Sequence, residues 1–378
     1  MSEVVAPVTR TARQREAGPD KGAGLAVSGG GYRAMLFHLG AFLRLHELGV
    51  LQRLKRISSV SGGSIVTAKI GLEWDRLNSR EDFFDHVVAP IRTLASITID
   101  APSILGGVLI TGSVAGHVSG KYNDILFKGA TLQDLPDAPR FVINATNVET
   151  ASLFRFAKPY MADWQLGIAR EPRVSLADAV TASSAFPPVL SPFYLQAARE
   201  DFEDVPPGRE DPRFFEEIML TDGGVYDDLG LETVWKNFET VLVSDAGGRN
   251  PADPTPPSDW PRHTKRVLDI IHQQVSALRK RQLIASYQAP RSDVNHRTGA
   301  YWGIGTDIAH YGIVDALEVP HDRSLDLART PTRLKRMPAE LQERLINWGY
   351  AVSDAAIRKH WPPTEPTAPA LPYPDAGT

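Results

Sequence analysis

Three short segments of this chain bring together residues suited to acyl-transfer chemistry. Ser61 stands at the centre of Ser59-Val60-Ser61-Gly62-Gly63-Ser64, the spacing of a nucleophile elbow with Ser59 in place of its first glycine. A nucleophile on so sharp a turn needs small neighbours, so that its hydroxyl stands clear and the next amide can face a developing oxyanion. A serine hydroxyl also needs a group to take its proton. Asp222, in Thr221-Asp222-Gly223-Gly224 after the apolar run Glu217-Ile218-Met219-Leu220, offers a carboxylate with little crowding around it. A carboxylate of ordinary pKa is a weak base, so such a site must draw much of its rate from placement and oxyanion stabilisation. The third segment, Ser28-Gly29-Gly30-Gly31-Tyr32-Arg33, lies where a strand should feed a helix. There the amides are unpaired and the helix dipole favours an anion. Taken singly, each segment has a plainer explanation: a tight glycine turn, a helix-capping serine, an Asp-Gly turn. It is their combination that points to chemistry.

Other readings of the same residues fit less well. Gly29, Gly31 and Ala34 satisfy G-x-G-x-x-A after a strand, but a dinucleotide site also wants a carboxylate near the end of the second strand. Arg56-Ile57-Ser58-Ser59-Val60 has none. No Gly-Lys-Ser or Gly-Lys-Thr follows the glycines, so a P-loop fails too. A Ser-Asp-His triad remains open in chain order, with His263, His272, His310 or His321 as the third member. A binding module that holds an anionic ligand without turning it over also remains open.

The elements that must position these segments follow from the pattern. Apolar runs at 24–27 and 56–60 alternate with helical patterns at 34–48 and 63–74, which predicts a parallel sheet covered by helices. Both glycine turns then fall at the carboxyl ends of strands, where such sheets place their sites. Further strands are expected at 140–145, 217–220 and 240–244, and long helices at 265–287 and 338–359. Residues 1–23 read as a flexible tail, 24–360 as one catalytic body, and 361–378, with six prolines, as an extended disordered tail. The apolar but glycine-broken segment 101–118 is too short and interrupted to span a bilayer, and reads as a lid or a buried core piece.

Composition narrows the function classes. With 378 residues, 42% hydrophobic, the chain can bury a substantial core. A net charge of −4 gives no general attraction for nucleic acid. The absence of cysteine removes disulfides and thiolate chemistry, and with no signal-peptide core at the start the expected location is cytoplasmic.

Ser-Gly-Gly-Gly-x-Arg, Ser-x-Ser-Gly-Gly and Asp-Gly-Gly, in this order, together with Ala182-Ser183-Ser184-Ala185-Phe186-Pro187-Pro188, resemble the patatin-like phospholipase family over roughly 24–243. The resemblance implies a three-layer α/β/α sandwich with a mostly parallel central sheet. It implies Ser61 as nucleophile, Asp222 as its direct base, and Gly29, Gly30, Gly31 and Arg33 as the oxyanion loop. It further implies a lipid or phospholipid substrate, no cofactor and no metal. Peripheral membrane contact stays open, and the oligomeric state is not encoded. The sequence departs from the usual pattern at Ser28, where aspartate is common, at Ser59, where the elbow glycine is usual, and at Ala34.

Overall fold

The computed structural model describes residues 19–100, 114–248, 252–362 and 367–378. Eleven strands form one mixed sheet: β1 (Asp20–Val27), β2 (Leu54–Val60), β3 (Arg140–Asn147), β4 (Ser152–Ala157), β5 (Tyr160–Asp163), β6 (Gly167–Arg170), β7 (Phe193–Gln196), β8 (Phe202–Glu203), β9 (Glu217–Asp222), β10 (Phe238–Asp245) and β11 (Thr298–Gly303). Their order is β11-β10-β1-β2-β3-β4-β5-β6-β8, with β9 paired to β3 and β7. The five strands from β11 to β3 run parallel. Beyond β3 every pairing is antiparallel.

Side-chain alternation along the central strands sorts residues to the two faces of the sheet. On β10, Leu242 joins the large apolar core, whereas Val241 and Val243 join a smaller cluster with Leu229, Leu231, Val234 and Leu283. The large core is covered by α1 (Gly31–Glu47), α2 (Gly62–Leu72), α3 (Leu176–Ser183) and α5 (Ala339–His360). The opposite cluster is covered by Leu283 of α4 (Trp260–Gln288) and the 229–235 segment. The result is the three-layer α/β/α arrangement expected from the sequence.

Helix α1 is buried on every side from Gly31 to Leu45, as befits a helix between sheet and neighbouring helix. Its partner is α5. A methyl group on Gly40 would collide with the Ile346 carbonyl, and one on Gly349 with the Phe37 carbonyl, so these two glycines set the close approach of the helices. Across the same contact Arg44 donates from Nε and Nη2 to Asp354 Oδ1 at 2.9 and 2.7 Å. Both charges are buried and each has a second partner, Glu47 for Arg44 at 3.1 Å and Arg358 for Asp354 at 3.2 Å, so the pair is one link of a buried ionic network.

The chain ends differ from the sequence reading. β1 begins at Asp20, whose amide donates to Asn237 O at 2.7 Å, so the folded body starts before residue 24. At the other end, the described residues 367–378 are docked rather than free. Asn347 Nδ2 donates to the carbonyls of Tyr373 and Gly377 at 2.7 and 2.6 Å, and Asn347 Oδ1 accepts the Tyr373 amide. Arg92 lies over the Tyr373 ring, and Arg44 donates to Thr367. Proline removes backbone donors but leaves carbonyls free, and α5 presents Asn347 and Arg344 to meet them. Of the candidate lid, residues 101–113 lie outside the described residues, and the rest enters the helix Val114–Tyr122. No described helix is long and apolar enough to cross a membrane.

Candidate active site

The register of β3 explains how residues 161 positions apart come together. Ile143 and Asn144 pair with β4 on one edge and with β2 on the other, where Asn144 lies opposite Val60. Ala145, Thr146 and Asn147 also pair with β4, and on the free edge beyond β2 they pair with β9, Ala145 opposite Asp222. Strands β2 and β9 therefore occupy the same edge of β3 and run toward each other. They meet end to end, Val60-Ser61 against Asp222-Gly223.

Ser61 sits between β2 and α2 with φ 52° and ψ −124°, a conformation that costs a non-glycine residue on the order of 1–3 kcal/mol and is typical of a nucleophile elbow. What holds it there is a chain of serines. The Ser61 amide donates to Ser183 Oγ at 3.0 Å, Ser183 Oγ donates to the Asn144 carbonyl at 2.6 Å, and Ser64 Oγ lies 2.9 Å from Ser183 Oγ and donates to Ser59 Oγ at 3.0 Å. Ser59, in the elbow-glycine position, is thus accommodated as an acceptor in this network. Glycine at 62 is a steric requirement, because a methyl group there would run into the Gly31 peptide. The two glycine-bearing turns are in backbone contact.

Asp222 is 2% exposed and Ser61 7%. The Asp222 amide donates to Ala185 O, its carbonyl accepts Thr146 Oγ1, and Oδ1 accepts the Gly224 amide at 2.7 Å. Burial pushes the carboxyl up to about 7, with the nearby Ser61 hydroxyl and the Gly224 amide pulling the other way. Among the described residues Oδ2 is buried without a hydrogen-bond partner. Ser61 and Asp222 are thus neighbours, the Ser61 hydroxyl close enough to favour the charged carboxylate. The sequence expectation of an ordinary, weakly basic carboxylate gives way here, since desolvation disfavours the charged form and strengthens the base.

The glycine loop divides its amides. Gly29 N–H donates to the Asp228 carbonyl at 3.0 Å, so it is engaged in structure. Among the described residues the amides of Gly30, Gly31 and Gly62 meet no backbone acceptor. Arg33, 3% exposed, donates from Nε to Ala246 O at 3.1 Å and from Nη1 to Thr330 O. Its guanidinium braces the loop against the end of β10. Burial lowers it to about 10. Ser28 joins the same bracing: its Oγ accepts the Ala246 amide at 2.8 Å, while His38, buried and pushed down to about 4, bonds Ser244 Oγ at 2.7 Å and the Ser28 carbonyl at 3.0 Å.

Two further groups border Ser61 and Asp222. A Cβ on Gly29 would lie 2.9 Å from Asp228 Oδ1 and 3.1 Å from Ser61 Cβ, and one on Gly224 would lie 3.0 Å from both Asp222 Oδ1 and Asp228 Oδ1. His272 Nε2, from α4, lies 3.6 Å from Asp228 Oδ1, and that carboxylate raises the imidazole to about 9. Of the four histidines that sequence order permits in a triad, His272 is the one that borders this site, and the carboxylate it faces is Asp228, not Asp222. The other three engage elsewhere: His263 with Pro257 O, His310 with Asp307, His321 with Ser324. Asp228 and Ser183 escaped sequence reasoning. Ser183 lay inside the quoted Ala182–Pro188 stretch but without a role, and Asp228 follows the Asp-Gly-Gly motif with no local mark of its own.

A family model described as patatin-like phospholipase matches residues 25–235. No significant match was found among curated protein sequences. Among solved structures, human GIVD cytosolic phospholipase A2 in complex with methyl gamma-linolenyl fluorophosphonate is similar with a TM-score of 0.50 at 13% identity, covering 88% of this chain and 57% of that one. The same protein with that inhibitor and terbium chloride gives a TM-score of 0.50 at 12% identity, again over 88% and 57%. VipD from Legionella pneumophila gives 0.37 at 16% identity, over 91% and 68%. The chain therefore spans little more than half the length of the human phospholipase whose fold it shares. Because the family model covers more than half of the chain and spans both glycine turns and Asp-Gly-Gly, this chain belongs to the patatin-like phospholipase family.

Proposed function

We propose that this chain is a lipid acyl hydrolase that works through a Ser61–Asp222 dyad. The observation that carries the reading is the meeting of β2 and β9: a serine held at positive φ beside a buried carboxylate with one unpartnered oxygen. Asp222 takes the Ser61 proton as Oγ attacks the ester carbonyl. The carbonyl oxygen, now negative, is received by the amides of Gly30, Gly31 and Gly62, and each such donor contributes about 3–4 kcal/mol. Collapse expels the alcohol of the ester, which takes the proton from Asp222, and leaves an acyl group on Ser61. Water then gives a proton to Asp222 and attacks the acyl carbonyl, and the proton returns to Ser61 as the fatty acid leaves.

In this reading Gly29 and Arg33 shape the oxyanion loop without donating to the oxyanion. A pKa of about 7 makes Asp222 a competent base near neutrality. The alternative, a triad through His272, is favoured only by that residue's position beside Gly224 and Asp228. A non-catalytic anion-binding role would leave the strained elbow unexplained. Mass spectrometry of products released from mixed lipid extracts tests the proposal. Wild-type protein should release fatty acids, and Ser61→Ala and Asp222→Asn should release none. Equal release by either variant would overturn the dyad.

A further inference from the structure

The long helix α4 lies outside residues 25–235 matched by the family model, and the dyad makes no use of its outer surface. One side of α4 is fastened to the body beside the site: Lys280 pairs with Asp245 at 2.5 Å, Arg279 with Glu232 at 3.1 Å, and His272 faces Asp228. Its three buried residues, Ser276, Leu283 and Ser286, all belong to the C-terminal half. The other side is apolar and bare. Trp260 is 79% exposed, Leu268 56%, Ile271 53% and Leu278 57%. At 100° per residue Trp260, Ile271 and Leu278 fall within an arc of about 20°, clear of the fastened stripe, and Leu268 lies about 80° from Trp260 at that stripe's edge.

Charge decides what covers this face. Of the six Lys and Arg on α4, Arg279 and Lys280 are bound to Glu232 and Asp245 of the body; the other four, Arg262, Lys265, Arg266 and Arg281, outnumber Asp259 and Asp269 by two, in a chain whose total is −4. Two copies pressed face to face would oppose these charges, whereas an anionic bilayer would attract them and accept the apolar stripe together. Lys265 and Arg262 pair with Asp269 and Asp259 at exposed positions, contacts that water and lipid phosphate readily displace. An exposed tryptophan at the helix start is the side chain best suited to the headgroup boundary.

We infer that α4 is the surface by which this protein docks on an anionic phospholipid bilayer, holding the dyad beside the membrane. The inference deepens the lipid-hydrolase reading, so binding is measured apart from turnover. In a Ser61→Ala background, the protein should sediment with vesicles of phosphatidylcholine mixed with phosphatidylglycerol at least about tenfold more tightly than with phosphatidylcholine alone. Leu268→Glu/Ile271→Glu/Leu278→Glu should lower that binding by a further order of magnitude, with circular dichroism unchanged. Should the triple variant fail to fold, Ile271→Glu alone carries the comparison with a severalfold loss. With Ser61 restored, the variant should keep wild-type hydrolysis of a soluble short-chain ester while losing hydrolysis of vesicle lipid. Unaltered vesicle binding by the folded variants, equal binding to neutral vesicles, or a solution dimer that the variants dissociate would each overturn the proposal. Loss of all hydrolysis with vesicle binding intact would instead count against the dyad and leave the docking surface standing.

Discussion

The parallel and antiparallel halves of the sheet contribute different things. From β11 to β3 the strands run parallel, and their carboxyl ends carry the glycine loop, the elbow and the Arg33 brace. Beyond β3 the antiparallel strands β4 to β9 fold back, and one of them returns Asp222 to the elbow. The helix α3, packed on this half, adds Ser183. On the proposed reading, the parallel half frames an oxyanion and a nucleophile, and the antiparallel half supplies the base. Two strands meeting head to head on a third bring Ser61 beside the buried carboxylate of Asp222.

This comparison can be broken from either half. Ser61→Ala and Asp222→Asn should each lower kcat/KM by about 10⁴-fold or more, since the two groups act as one unit, and the double variant should be no worse than the singles. Steady-state hydrolysis with each purified protein checks this. Next in size is Gly62→Ala, which forces the elbow off the Gly31 peptide. It should cost about 10²-fold in kcat through misplacement, with KM changed far less. The antiparallel half is tested more gently by Ser183→Ala, which leaves the Ser61 amide and the Asn144 carbonyl without their partner. A loss of about 1–3 kcal/mol, spread between stability and kcat, should follow in a melting curve and an activity assay.

Protonation separates the halves further. Asp222 has its pKa raised to about 7, and only its charged form is a base. kcat/KM should therefore fall about tenfold per pH unit below about 7 and level off above it. The stability effect has the opposite sign. The folded state holds a proton that the unfolded state has already released, so stability falls as pH rises from about 4 to about 7. Asp222→Asn lacks this loss, so its melting temperature should exceed that of wild type at pH 8 and approach it at pH 4. The smallest effect is expected from His272→Gln, within about threefold on a soluble ester, because His272 faces Asp228 rather than the dyad.

Much of the parallel half was legible in the sequence, because its signals are local. Apolar runs bounded by glycine gave β1, β2 and β10, and periodic apolar residues gave α1 within a few residues of Gly31–Glu47. Ser61 and Asp222 were legible as residue types beside small neighbours. The direction of β9 was not, since an isolated apolar hexamer says nothing about which strand it will pair with or which way it will run. The short strands β4 to β8 share that difficulty. Arg33 was placed in the oxyanion loop by the family resemblance alone, and its acceptors, Ala246 O and Thr330 O, lie more than 200 residues away. The C-terminal prolines suggested a free tail, and only the polar side chains of α1 and α5 explain why it docks.

The proposed dyad stands or falls on the reactivity of one serine under the control of one carboxylate. Intact-protein mass spectrometry after brief exposure to an alkyl fluorophosphonate tests it directly. The account predicts one adduct, mapped to Ser61, formed at a wild-type rate in His272→Gln, strongly slowed in Asp222→Asn and absent in Ser61→Ala. An adduct in Ser61→Ala, or labelling that depends on His272 and not on Asp222, would contradict it.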